Sequence, residues 1–365
     1  MKKNAFPFLI LFFASACFAQ IAPKKPVASE YSWRLLQHAE VLYDSGNYTE
    51  AMTFALKAKE NRQGESRWES FTLDNSLSPF EVRRAGEQFE NVMPVLLERQ
   101  QSESIKIVNK YLDLYSAERF NDSIYNLKSW IEKKSVYPEA DYLIGKIYQV
   151  EGEYKSAYTF YENARKNSDF LDIPDEVFTI LYSMAELAKL ENDSETYEQT
   201  LLLILSKDSN FSDNVLKNAV VKIIDANKKS NVDRFFSLFR ADSPLTMKAL
   251  HEISAIYESR NEKKSSLFCS ALGALEGFTH IYNSVKDREP AYEFSTLADF
   301  LKKISSFSDI EEWCVESNFW DFLIELGGKS SERGNLIFAD ELLNILAINI
   351  PNGYYRAAAA NKISR

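Results

Sequence analysis

Three histidines, three cysteines and an excess of carboxylates are the groups in this chain that could do chemistry. An imidazole acts as a metal ligand or general base when a carboxylate, a thiol or a second imidazole stands at the right spacing. His38, His251 and His280 are far apart in sequence, and none has such a partner at a metal-ligand spacing. Cys269 and Cys314 lie in apolar helical patterns outside any Cys-x-x-Cys pair. They read either as two buried thiols or, in an oxidising compartment, as a pair. Neither a Gly-x-Gly-x-x-Gly, nor a complete phosphate-binding Gly-x-x-x-x-Gly-Lys-Ser/Thr, nor a Gly-x-Ser-x-Gly occurs. No catalytic, cofactor-binding or metal-binding residue is assigned, no cofactor is implied, and the chain reads as non-enzymatic.

The elements that would position any site show a repeat. Between Ser104 and Leu171 the chain matches itself at a step of 34 residues: Tyr111 with Gly145, Leu114 with Tyr148, Phe120 with Tyr154, Leu127 with Tyr161, Trp130 with Ala164. In the second copy, Pro138–Leu171, Ile144, Gly145 and Tyr148 share one helical face and Ala157, Tyr161 and Ala164 another, with Gly152-Glu153-Tyr154 between them. Small residues sit where two helices of a hairpin must approach, and aromatics fill the adjacent gaps.

This pattern resembles the tetratricopeptide repeat (TPR), with Gly145, Gly152, Tyr154, Ala157, Tyr161 and Ala164 in its signature positions and Asp141 and Asp169 departing from it. Ser32–Gln63 resembles it too, through Ala39, Leu42, Gly46-Asn47-Tyr48, Ala51, Ala55 and Ala58. So does Trp320–Gly353, through Gly327, Gly334, Ala339, Leu343, Leu346 and Pro351. The resemblance implies an all-α, TPR-like α-solenoid of stacked helix-turn-helix repeats, partly degenerate.

The organisation expected is a signal peptide over 1–19, an extended leader over 20–31 and a TPR-like repeat over 32–63. An insertion with one or two helices follows over 64–103, in which Gly64–Leu77 reads as a loop and Ser78-Pro79-Phe80-Glu81 starts a helix that Pro94 ends or kinks. The tandem TPR pair spans 104–171, degenerate helical repeats 172–319, the C-terminal TPR-like repeat 320–353, and a capping helix 354–365.

Composition agrees with a helical protein: 45% hydrophobic residues, with only 11 Gly and 10 Pro as breakers. The net charge of −10, without any Lys/Arg-rich run, excludes a nucleic-acid partner. Lys2 and Lys3, the apolar run Ala5–Phe13 and the small residues before Ala19 read as a secretory signal, too short in its apolar core to span a membrane. Ala14-Ser15-Ala16-Cys17 also resembles a bacterial lipobox, so Cys17 is a lipidation candidate. The exported chain is periplasmic or, alternatively, a membrane-anchored lipoprotein.

TPR arrays bind partner segments along the first helices of their repeats. The resemblance therefore implies a groove lined by Trp33, Leu36 and Tyr43, by Val108, Asn109, Leu112 and Tyr115, and by Tyr142, Lys146 and Gln149. Its aromatic and aliphatic side chains suit a peptide or protein partner in the cell envelope. The TPR subtype that clamps a chaperone C-terminal carboxylate is disfavoured, because Leu36 and Glu40 replace its Lys and Asn. A non-enzymatic scaffold or adaptor is the first expectation, and an accessory to solute uptake that holds a small ligand or docks on a binding protein is the second. A third is a superhelical peptidoglycan-cleaving enzyme, since Glu316-Ser317-Asn318-Phe319 resembles the Glu-Ser-x-Phe of lytic transglycosylases. The Gly-Leu-Met-Gln element that should follow is missing, and Glu316 is given no catalytic role.

Overall fold

The structure is a computed structural model that describes residues 23–76, 120–238 and 244–363, and helices are the only regular secondary structure among them. Val108, Asn109, Leu112, Tyr115 and Cys17 lie outside the described residues, as do the expected helix start at Ser78 and the break at Pro94. Two compact units divide the chain after Ile147.

The first unit holds α1 (Ser32–Asp44), α2 (Tyr48–Ser76), α3 (Phe120–Lys133) and most of α4 (Pro138–Val150). Leu35, Leu36 and Ala39 form the buried face of α1 and meet Ala51, Ala55 and Ala58 of α2, all three of which are fully buried. Alanine at each crossing point lets the two backbones approach closely.

The expected loop over Gly64–Leu77 is corrected here: through Ser76 these residues continue α2, which runs for 29 residues. A mid-helix glycine costs about 1 kcal/mol, and long-range contacts outweigh it. The Arg62 guanidinium lies 4.9 Å from the Tyr137 ring centre, and the Ser66 hydroxyl donates to the Ile131 carbonyl of α3 at 2.7 Å. Glu65, Glu69 and Ser70 are buried beside them. The polar setting of Trp68 and Phe71 is thus the buried face of a helix.

The second unit continues with α5 (Tyr154–Lys166), α6 (Glu176–Leu190), α7 (Ser194–Ser206), the short α8 (Ser209–Ser212), α9 (Asn214–Asp225) and α10 (Asn231–Phe236). Then come α11 (Met247–Ser259), α12 (Lys263–Arg288), α13 (Leu297–Ile304), α14 (Ser308–Glu316), α15 (Phe319–Glu332), α16 (Leu336–Asn349) and α17 (Gly353–Ile363).

Five of the inter-helix turns along the chain are built from the same two hydrogen bonds. A residue in the left-handed region ends the first helix: Gly46 (φ 82°), Gly152 (80°), Asn192 (57°), Asn261 (60°) and Gly334 (86°). Its amide bonds the carbonyl three residues back. The next amide bonds the carbonyl five residues back, from Asn47 to Leu42, Glu153 to Tyr148, Asp193 to Ala188, Glu262 to Tyr257 and Asn335 to Ser330. This is a Schellman closure, which Gly and Asn serve because they tolerate positive φ. Seven residues before each turn stands a small buried residue: Ala39, Gly145, Ala185, Ser254 or Gly327.

Within the second unit the helices pack in succession: α5 on α6, α6 on α7, α7 on α11, α11 on α12, α12 on α15, α15 on α16 and α16 on α17. The segments between hairpins pack elsewhere, α9 and α14 against α12, α10 and α13 against α16, and α10 against α13. As a result α12 is buried on every side from Ser266 to Thr279. Asn227 adds a cap from outside, its side-chain oxygen accepting the amides of Ile337 and Phe338 at 2.8 and 3.3 Å at the start of α16. No helix among the described residues is long and apolar enough to cross a membrane.

Candidate interaction surface

In the first unit, α1 and α4 bring together three of the residues expected to line a groove. Tyr142 and Lys146 are one turn apart on α4 and share a face. The Lys146 ammonium lies 4.2 Å from the ring centre of Tyr43 on α1 and 5.8 Å from that of Tyr142. These are cation–π distances. Among the described residues Lys146 makes no hydrogen bond or ion pair.

Glu40, one turn before Asp44, flanks the same spot. Partial burial holds its carboxyl above the ordinary range, Lys146 opposes that shift, and Asp44 adds to it. Burial likewise raises the Tyr43 phenol, with Tyr48, Tyr142 and Asp44 adding to it. Trp33, 36% exposed, has the Arg34 guanidinium 5.0 Å over its ring.

Two other expected residues are engaged within the protein. Leu36 is buried in the α1–α2 interface, 6% exposed, and packs there rather than facing a partner. Gln149, in the second unit, accepts a 2.6 Å hydrogen bond from the Tyr161 hydroxyl.

The chemically versatile side chains are dispersed. His38 stands edge-on to Phe54 with centroids 4.4 Å apart, His280 lies against Trp313 at 4.3 Å, and His251 is 3.7 Å from Glu325. No group of three or more His, Cys, Asp or Glu able to hold a metal occurs among the described residues. Cys269 and Cys314 are free and buried. Burial pushes the Cys269 thiol up to about 12 and the Cys314 thiol upward as well, which removes thiolate character at neutral pH. Glu316 is exposed at the last position of α14.

One cluster went unread in the sequence. The Lys329 ammonium donates to Ser254 Oγ at 2.6 Å, to Ser270 Oγ at 2.8 Å and to Glu325 Oε2 at 3.1 Å. Ser254 and Ser270 lie 3.0 Å apart, and the Ser266 hydroxyl donates to Glu258 at 2.8 Å. Serine beside lysine is a constellation that can transfer acyl groups when the lysine accepts the hydroxyl proton. Here all three serines are fully buried, and every N–H of Lys329 is already donating. The cluster therefore joins α11, α12 and α15 rather than presenting a nucleophile. Its sequence signal is that Ser254, Ser266 and Ser270 occupy positions filled by Ala39, Ala51 and Ala55 in the α1–α2 hairpin. The tripeptide Gly328-Lys329-Ser330 lies inside α15, with Leu323 where a phosphate-binding loop needs its first glycine.

The first helices of the second unit's hairpins also meet directly. Tyr182 of α6 donates to the Leu245 carbonyl at 2.7 Å and accepts from the Ala249 amide at 3.2 Å, while the Lys248 ammonium lies 5.4 Å from the centre of its ring. Lys189 of α6 is 3.7 Å from Glu252 of α11. Asp321 of α15 has its carboxyl raised by burial, an effect that His251 opposes and Glu325 reinforces.

No protein-family model matches the chain. It is similar to an uncharacterized protein of Treponema pallidum (strain Nichols), 26% identical over 340 residues that cover 93% of this chain and 91% of that one. It is also similar to an uncharacterized protein of Borreliella burgdorferi, 25% identical over 253 residues that cover 61% of this chain and 76% of the relative.

Proposed function

We propose that this protein is a non-enzymatic, TPR-like scaffold or adaptor of the bacterial cell envelope that binds a peptide or protein partner along the first helices of its hairpins. The observation that carries the reading is the convergence of Tyr43 with Tyr142 and Lys146, from helices about a hundred residues apart in sequence, into one half-buried aromatic and cationic strip. Aromatic rings are among the groups that dominate binding energy at interfaces, and a cation over their faces adds a charged hydrogen-bond donor. The five equivalent turns, each with a small residue seven positions earlier, support the repeat reading. Export rests on the N-terminal sequence, with periplasmic release after Ala19 or lipid attachment at Cys17 as its two forms.

Affinity capture from an envelope extract tests the reading. The wild-type protein is expected to retain a saturable partner that Tyr43→Ala/Tyr142→Ala loses while keeping its melting temperature. Equal recovery by both proteins would remove this strip from the binding site. Mass spectrometry of the mature N-terminus separates a chain beginning at Gln20 from one beginning at an acylated Cys17.

A further inference from the structure

We infer that the face formed by α6, α11 and α15 in the second unit is a docking surface for a basic segment of a partner protein. The inference rests on the scaffold reading and adds the partner's chemistry.

These three helices lie side by side, joined by the contacts of Tyr182 and Lys189 with α11 and of His251 and Ser254 with α15. The intervening helices α9, α10, α13 and α14 pack against α12 and α16. Along the face, side chains recur at the spacing of one helical side: Tyr182, Glu186 and Lys189, then Lys248, Glu252, Ala255 and Ser259, then Asp321, Glu325, Gly328 and Glu332. Glu186, Lys189, Lys248, Ala255, Ser259 and Glu332 are exposed. Between α11, α15 and α17 the face dips into an open depression of about 400 Å³ lined by Glu258, Glu325, Lys329, Glu332 and Lys362.

The charge on this face is unbalanced in one direction. Two of its four ammonium groups are paired with carboxylates, Lys189 with Glu252 and Lys329 with Glu325 beside two serines, while Lys248 keeps its charge over the Tyr182 ring, and six carboxylates (Glu186, Glu252, Glu258, Asp321, Glu325 and Glu332) outnumber the four. Lys362 at the rim makes no ion pair or hydrogen bond among the described residues. Among the described residues Glu186, Asp321 and Glu332 make no ion pair or hydrogen bond, and the Glu258 carboxylate accepts from the Ser266 hydroxyl. Carboxylates without partners, next to an aromatic ring and a depression, complement Lys or Arg side chains projecting from an extended segment, and the chain's net charge of −10 steers such a segment inward.

Fluorescence anisotropy with the purified mature protein tests this, using a labelled decapeptide of alternating Lys and Ser and a Glu/Ser decapeptide as counterpart. The Lys peptide is expected to bind saturably and the Glu peptide not at all. The face variant Glu186→Gln/Asp321→Asn/Glu332→Gln should weaken the Lys peptide about tenfold. An equal-charge variant at exposed carboxylates of α14 and α16, Glu312→Gln/Glu316→Gln/Asp340→Asn, should leave it unchanged, with circular dichroism confirming that both variants fold. Equal weakening by the two variants, or no saturable binding to wild type, overturns the proposal. Tyr43→Ala/Tyr142→Ala does not alter this face, so failure of the first-unit strip and failure of this surface read out separately.

Discussion

Glu65 closes the N-terminus of α1 from 33 residues further along the chain. One of its carboxylate oxygens accepts the Ser32 amide at 2.6 Å and the other accepts the Ser32 hydroxyl at 2.8 Å. The first amides of a helix have no intrahelical partner, and Tyr31 at the cap position offers no side-chain bond. A buried carboxylate on α2 therefore replaces the local cap. Glu65→Ala is expected to cost about 2–3 kcal/mol, because two donors lose their partner where water is excluded. Thermal unfolding followed by circular dichroism measures the loss, and an unchanged transition would show that this contact contributes nothing.

Glycines in this chain serve two physically different purposes, and alanine substitution separates them. At Gly46, Gly152 and Gly334 an added Cβ would meet nothing within 4 Å, so the cost of Ala is backbone strain at positive φ, about 1 kcal/mol each. At Gly273 and Gly277 the φ angles are ordinary, but a Cβ would stand 2.3 Å from the Phe322 ring and 2.4 Å from the Phe319 ring. Those rings are fully buried and cannot swing away, so overpacking should cost about 1–3 kcal/mol or more per site. Denaturant midpoints are expected to fall further for Gly273→Ala and Gly277→Ala than for the turn variants. The reverse order would contradict the packing described for α12 and α15.

These two classes of glycine also mark what could be read without coordinates. The turns at Gly46, Gly152 and Gly334 were legible, because glycine is the local solution to a left-handed helix end. Asn192 and Asn261 make the same turn, yet asparagine there reads as an ordinary polar residue, and the surrounding units look degenerate when their hairpins are geometrically equivalent to the others. Residues 64–76 were misread because Gly64 is a local breaker, while the contacts of Arg62, Glu65 and Ser66 that hold the helix are long-range. The same limit applies to the strip of Tyr43, Tyr142 and Lys146: each could be assigned a helical face, but their meeting depends on how α1 and α4 pack. All-helical character, by contrast, follows from composition and period alone, and it holds for the described residues.

Asp141 sits on α4, buried apart from its contact with Lys59 at 2.5 Å. Burial raises its carboxyl above the ordinary value of 3.8, and the Lys59 hydrogen bond and charge oppose that shift without cancelling it. A carboxyl whose folded pKa is raised favours the folded state most below its unfolded value, and the advantage is lost as pH rises through the folded value. Relative to Asp141→Asn, the wild-type protein should therefore lose stability as pH is raised upward from about 4. Lys59→Met, which removes the opposing cation, should steepen that loss. Denaturant unfolding at a series of pH values measures both slopes, and a wild-type protein that gains on the Asn variant over this range would show that Lys59 dominates instead.

The Lys329 cluster allows a sharper test, because its parts should be strongly non-additive. In the α1–α2 hairpin the positions of Ser254, Ser266 and Ser270 are held by Ala39, Ala51 and Ala55, so the fold itself does not require hydroxyls there. What requires them is the Lys329 ammonium, whose side chain is only 14% exposed and which loses two of its three acceptors if the serines go. Ser254→Ala/Ser266→Ala/Ser270→Ala should therefore cost about 3–5 kcal/mol, the price of a buried charge left short of partners. Lys329→Met alone should cost less, about 1–2 kcal/mol, since Ser254 and Ser270 can still bond each other at 3.0 Å. Combining all four changes gives an apolar crossing like that of the first hairpin and should recover most of the loss, to within about 1–2 kcal/mol of wild type. Urea unfolding of the four proteins measures the coupling. If the quadruple variant loses the sum of the separate effects, the serines and the lysine act independently, and the cluster is not the unit that its hydrogen bonds describe.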